Sequence, residues 1–392
     1  MNIRTLIAAA NIGFIFMMTP VAADPLPPAK PESVGVSSAR LQRIGEVLRA
    51  DIENGRIPGA VVAIARKGKL VYYEAFGYAD QEAGIAMPKD AIFRIASMAK
   101  LTTAVGVLML HEEKRLSLED PVEKHLPQLA DRPVAAMRAN SAGEMVMETV
   151  RANRSANIED LMRHTAGIGY GSGGNTKVHK LYPSSTITAV NKFTGQEFLA
   201  ELGKLPLQSQ PGTAYQYGFG LLVAGLAIEA VTRQSLGQFL EHRLFRPLGM
   251  VDTVFVVGPE KVQRSAKPLP INPETGRPQR QRVRTTPWKF ECGAACLMST
   301  AGDYLRFAQM LLNRGTLGEA RILRAQSVDY MTSDRIDSSV AHDVQQKSSY
   351  TGAYVSGSGA GVDTEYGYGL GVRVQRRDTA SGSSGTYSVG GR

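Results

Sequence analysis

A chain of 392 residues with 43% hydrophobic and 21% charged side chains has the makeup of an ordinary globular protein, which excludes a disordered polymer and a membrane-embedded bundle. Its 45 Lys and Arg residues against 36 Asp and Glu give a net charge of +9. That is modest for this length and lacks interleaved aromatics, so no nucleic-acid partner is expected.

The first residues carry one early positive charge, Arg4, an apolar run from Leu6 to Met18, and the small Val21 and Ala23 ahead of Asp24. These are the parts of a secretory signal peptide, with cleavage expected after Ala23. A membrane-spanning helix needs about 20 apolar residues, and this run is shorter and broken by Asn11 and Pro20. Residues 1–23 are therefore read as a leader and 24–392 as a periplasmic or secreted chain, without a stable membrane anchor after cleavage.

Residues 39–54 place Leu41, Ile44, Val47 and Leu48 at helical spacing and stop at Gly55, which predicts a helix. Two runs rich in β-branched and aromatic residues, from Gly59 and from Leu70, flank Lys67-Gly68-Lys69 and predict a hairpin. From Ser97 to Lys114 the pattern is helical again. The middle, 115–290, is expected to be mostly helical, with helices at 158–164, 195–202, 219–232 and 236–244. It includes a Gly/Ser loop at 169–185 and a solvated basic loop at 277–284. A last amphipathic helix is expected from Ala301 to Leu312, and strands from Tyr366 to Val374. The two cysteines, Cys292 and Cys296, form no disulfide framework and make a poor zinc signal; they are read as two buried free thiols.

The sharpest chemical feature is Phe93-Arg-Ile-Ala-Ser97-Met-Ala-Lys100. Residues three apart share a helix face, so the Lys100 amine can reach the Ser97 hydroxyl. A lysine made neutral by a dry lobe boundary could then take the serine proton. No Gly-x-Ser-x-Gly motif occurs, and the six histidines show no metal-binding spacing, so neither metal nor other cofactor is expected. A Ser-His-Asp triad, whose members can be far apart in sequence, stays open at this level.

Five stretches together resemble the serine β-lactamase and penicillin-binding-protein superfamily, most closely class C β-lactamases and family VIII carboxylesterases. They are the hairpin at 59–77, the Ser97 motif at 93–100, Ile158-Glu-Asp-Leu-Met-Arg-His-Thr-Ala-Gly167, Pro211-Gly-Thr-Ala-Tyr-Gln-Tyr217, and 293–312. The resemblance implies a β-lactamase-like α/β (α+β) fold, with an antiparallel sheet flanked by helices and an inserted all-helical subdomain. The α/β lobe would take about 35–95 and 291–392, the helical lobe about 96–290. Relatives continue with further strands and a C-terminal helix, so those are expected to be missing after Arg392.

Residue by residue, the resemblance makes Ser97 the acylated nucleophile and Lys100 its helper. Tyr217 becomes the general base, its phenolate favoured by the ammonium, with Tyr215 the competing register. His164, Thr165, Gly167 and Phe219 would line the substrate cleft. One oxyanion donor would be the Ser97 N–H. The third motif falls on Val389-Gly390-Gly391, with Val where relatives have Lys, His or Trp, and Arg392 would supply the second donor. Class C enzymes have Tyr-x-Asn where this chain has Tyr217-Gly218-Phe219, a loss that favours esters over β-lactams. The expectation is a secreted serine carboxylesterase acting on short-acyl esters. The alternatives are a β-lactamase or D-alanyl-D-alanine carboxypeptidase using the same residues, and a non-catalytic peptidoglycan-binding or scaffold homologue. The partner is a small-molecule ester or β-lactam; oligomeric state is not legible.

Overall fold

The computed structural model describes residues 26–279, 283–337, 340–342, 365–379 and 382–391. The leader at 1–23, residues 280–282 of the basic loop and Arg392 lie outside them. Among the described residues no helix is long and apolar enough to cross a membrane.

Helix α1 (Ser38–Glu53) begins where the Ser37 hydroxyl accepts the Arg40 N–H, filling one of the donor valences that a first turn leaves open. It packs on an antiparallel sheet of β1 (Gly59–Arg66), β2 (Lys69–Asp80) and β3 (Ile85–Ala86). Lys67 and Gly68, at φ 52° and 71°, make a two-residue turn whose twist matches that of the strands. The register runs from Gly59 opposite Gly77 to Arg66 opposite Lys69, with one slip between Ile64 and Ala65. A Cβ on Gly59 or Gly77 would strike backbone, so the two strands cross at a point that only glycine permits.

After β4 (Phe93–Arg94) the chain enters α2 (Ala99–Glu112). Every residue of α2 from Ala99 to Leu110 is buried, the mark of a helix at the centre of a domain and not on its face. Around it lie α3 (Val122–His125), α4 (Ile158–Met162), α5 (Thr186–Lys192), α6 (Gly195–Gly203) and the short β7 (Ala214–Tyr215). The largely buried α7 (Gly220–Thr232) and α8 (Leu236–Leu240), which continues as a wide turn through Phe245, complete this lobe. Asn157 and Asp160, Thr194 and Glu197, and Ser235 and Gln238 form reciprocal capping boxes.

The lobe is not all helical. Strands β5 (Val134–Ala139) and β6 (Met145–Val150) form an antiparallel hairpin within it. It closes where the Asn140 side-chain oxygen accepts the Ala142 and Glu144 N–H groups, both at 2.9 Å.

The chain returns through β8 (Met298–Ser299), which pairs antiparallel with β4, and α9 (Ala301–Leu312), which lies on β1. Then come β9 (Thr316–Leu317), β10 (Ala320–Arg321), α10 (Ala325–Thr332) and β11 (Ala341–His342), the last parallel to β7. A separate antiparallel sheet joins β12 (Tyr366–Tyr368), β13 (Arg373–Gln375) and β14 (Tyr387–Ser388). One contiguous apolar core runs from Ile95 through α2, α4, α7 and α9 to Val374.

The cysteines differ from expectation. Cys292 and Cys296 are buried, but they form a disulfide. The intervening residues turn tightly enough to bring their Cα atoms to 5.4 Å, inside the range that bridging requires.

Candidate active site

Ser97 stands in a 3₁₀ turn, Ala96–Met98, just ahead of α2. The turn is held on both sides: Ile95 N–H donates to Leu297 O at 3.1 Å, and the Tyr304 hydroxyl donates to Met98 O at 3.1 Å. Ala96 takes φ 45°, a left-handed conformation that disfavours a residue with a Cβ by about 1–2 kcal/mol. The kink leaves Ser97 half-buried while Lys100, one turn on, is 1% exposed.

Lys100 Nζ donates to Ser97 Oγ at 3.1 Å and to Ala294 O at 2.9 Å, and lies 4.7 Å from the centroid of the Tyr217 ring. Burial alone would lower its pKa. The charges and hydrogen-bonding oxygens of Tyr170 and Tyr217 outweigh burial and hold it above the usual lysine value. These partners favour the charged form of Lys100, whereas the neutral-lysine route to the serine proton relies on burial alone.

Tyr217 is bracketed by His164. Gln216 N–H donates to His164 O at 2.8 Å and Gly218 N–H to His164 Nδ1 at 3.4 Å. Burial, and then the Lys100 charge, push the His164 pKa well below the histidine norm. The ring is neutral with its proton on Nε2, an atom without a hydrogen-bond partner among the described residues. The Tyr215 ring lies 5.3 Å from that of Tyr368 and 5.9 Å from that of His164, and burial pushes its phenol pKa up. Of the two registers, Tyr217 is the one that reaches Lys100.

Thr165 and Gly167, both buried, lie in the segment that follows His164. Gly212 N–H donates to Thr165 O at 2.8 Å and Gln208 N–H to Gly167 O at 2.9 Å, tying the 164–169 segment to the one that delivers Tyr217. Gly167 takes φ 72°, and a Cβ there would meet the Ser209 backbone. Phe219 is a correction: its side chain is fully buried, edge-on to Tyr170 at 4.7 Å and against Phe198 at 5.4 Å. An apolar ring gains more from this core than from an open cleft. In the third motif, Val389 packs on the main core, and Gly391 lies so close to Ile95 that a Cβ would strike its carbonyl. The chain after β14 thus reaches the turn that carries Ser97.

Tyr170 was not identified from sequence. Its hydroxyl pairs with Thr186 Oγ1 at 2.8 Å, its ring lies 5.8 Å from that of Tyr217, and it is a charge and hydrogen-bond partner of Lys100. Its only sequence signal is its position three residues beyond Gly167. Among the described residues no His, Cys, Asp and Glu cluster could hold a metal ion.

Asp160 anchors the 164–169 segment from below. Its fully buried carboxylate accepts from Arg154 at 2.5 Å, Arg163 at 3.0 Å, Thr165 Oγ1 at 2.8 Å and Asn157 N–H at 3.1 Å. Burial raises its pKa, but these donors outweigh it and the net shift is downward. A depressed folded pKa means that the stabilisation is complete above the unfolded carboxylate pKa and fades as pH falls through the folded one. Asp160→Asn is expected to remove about 3–5 kcal/mol. Thermal melts from pH 7 to pH 3 should show the wild type losing its advantage below about pH 4. Equal melting temperatures at pH 7 would refute this.

A family model described as Beta-lactamase matches residues 44–390. Protein Rv1367c of Mycobacterium tuberculosis is 33% identical over 317 residues, 78% of this chain and 74% of that protein. Esterase EstB of Burkholderia gladioli is 32% identical over 257 residues, 65% of this chain and 60% of EstB. The structure of EstCE1, described as a hydrolase with promiscuous acyltransferase activity, superposes with a TM-score of 0.68 at 24% identity, covering 90% of this chain and 87% of the other. With the fold described above, the match across nearly the whole described chain places this protein in the beta-lactamase family, as a serine hydrolase.

Proposed function

We propose that the protein is an exported carboxylesterase that hydrolyses short-acyl esters through an acyl-enzyme on Ser97. The observation that carries this reading is the placement of Lys100 Nζ, hydrogen-bonded to Ser97 Oγ at 3.1 Å and 4.7 Å from the centre of the Tyr217 ring. The Tyr217 oxygen accepts the serine proton as Ser97 Oγ attacks the ester carbonyl. It returns the proton to the departing alcohol, and water then releases the acid by the same steps in reverse. The Lys100 charge stabilises negative charge on the two oxygens between which the proton moves.

Preference for esters is supported by the relative named an esterase. Export is supported by the leader-like first 23 residues and by a disulfide, a bond that persists in oxidising compartments. Turnover of p-nitrophenyl acetate and butyrate is expected to exceed that of a chromogenic cephalosporin in kcat/KM. An activated fluorophosphonate should add one adduct to the intact mass. A higher kcat/KM on the cephalosporin would establish the β-lactamase reading instead.

A further inference from the structure

Between Cys292 and Cys296 lie only Gly293, Ala294 and Ala295, and two of their carbonyls meet α2. Gly293 O accepts from Thr103 Oγ1 at 2.8 Å, and Ala294 O accepts from Lys100 Nζ at 2.9 Å. Thr103 and Lys100 are three residues apart and so share one helix face. The loop is fastened at both ends. Glu291 Oε2 accepts Gly237 N–H at 2.6 Å before it, and Leu297 O accepts Ile95 N–H at 3.1 Å after it.

Within the loop itself the covalent bond is the main brace; the rest of its hold comes from the two hydrogen bonds to α2 and from burial in the main core. The one backbone hydrogen bond across it, Cys296 N–H to Cys292 O, is long at 3.4 Å. Its side chains are a hydrogen and two methyl groups, which resist backbone rotation weakly. A link that closes so short a loop constrains the unfolded chain less than one spanning a long loop. Its main consequence is therefore local, at the carbonyl facing Lys100.

We propose that the Cys292–Cys296 disulfide is a positioning element for Lys100, and that turnover depends on its oxidation state. The inference rests on the roles given above to Ser97 and Lys100. A dithiol reductant passes two electrons and two protons to the S–S bond. Two thiols form and the reductant closes to its own disulfide. The loop then relaxes and the Ala294 carbonyl leaves the ammonium, whose remaining neighbours are Ser97, Tyr170, Tyr217 and, through its charge, His164. The loop presents no side chain larger than methyl between its cysteines, so substrate affinity is retained while proton transfer suffers.

The test compares wild type, Cys292→Ala/Cys296→Ala, and wild type incubated with dithiothreitol until the alkylated mass shows two thiols. Each is assayed on p-nitrophenyl butyrate across pH, with melting temperature and near-ultraviolet circular dichroism recorded. Both altered forms should show kcat lowered about tenfold and KM within about twofold. The basic limb of the kcat profile should move about one pH unit lower, because an ammonium that loses a charge-assisted acceptor gives up its proton more readily. Reoxidation should restore the reduced wild type. An unchanged kcat and pH profile, whatever the melting temperature, would overturn the proposal. So would activity lost only together with the near-ultraviolet signal, since the bond would then serve the fold alone. If the double variant does not fold, the reduced wild type, which differs by two hydrogens, decides. Ser97→Ala, run alongside, separates the two failures: equal hydrolysis by that variant and wild type would sink the nucleophile assignment on which the inference rests, whereas an inactive Ser97→Ala beside unchanged disulfide forms would sink the disulfide argument alone.

Discussion

Ser97→Ala is expected to abolish ester hydrolysis and fluorophosphonate labelling while leaving the melting temperature nearly unchanged. The lost hydroxyl is half-buried and hydrogen-bonded to Lys100. Lys100 keeps Ala294 O and the two tyrosine oxygens when it goes, so no buried charge is orphaned. Loss of a nucleophile that acts as part of a unit lowers kcat by several powers of ten. Steady-state kinetics on p-nitrophenyl butyrate with intact-mass analysis would check this. A variant keeping a tenth of the wild-type rate would move the nucleophile elsewhere.

Tyr217→Phe should be the next most damaging change, lowering kcat by roughly 10²–10⁴-fold with KM little altered. The phenyl ring remains to pack at 4.5 Å from His164 and 5.8 Å from Tyr170, and the backbone bonds to His164 do not involve the side chain of residue 217. What disappears is one oxygen beside the Lys100 ammonium. Tyr215→Phe is the control for register, because that phenol packs toward Tyr368. Tyr170→Phe is the control for identity, because Tyr170 is the other phenol partner of Lys100. A larger kcat defect in either control than in Tyr217→Phe would reassign the base.

Ser97 and Lys100 were legible from sequence because their relation is local: three residues on one helical turn are enough to bring the two side chains together. The Lys67-Gly68 turn and the apolar stripe of α9 were legible for the same reason. Tyr217 needed the resemblance, since nothing in its spacing separates it from Tyr215. Tyr170 comes to the site by tertiary packing across loops, and no period records that. The ionisation of Lys100 likewise depends on tyrosines far away in the chain, which a local picture of a desolvated lysine leaves out. The hairpin at 134–150 was missed because its Met, Glu and Arg residues face solvent on one side and carry little strand signature, although the turn at Asn140 was a readable stop. Phe219 was misplaced because a motif gives a residue's order in the chain and not the direction of its side chain. The disulfide was missed because a spacing of four leaves the backbone between the cysteines unspecified.

The burial of α2 on every side also shapes how this enzyme ages. A helix with no solvent-facing side loosens only when the whole core opens; Lys100 lies in its first turn and Ser97 in the short turn just ahead of it. Short of a change at the Cys292–Cys296 loop, loss of the proposed catalytic pair on heating waits on global unfolding. Changes that lengthen that time belong in the packing between α2 and α7. Changes that retune substrate choice belong in the surrounding loops, where they leave that clock alone.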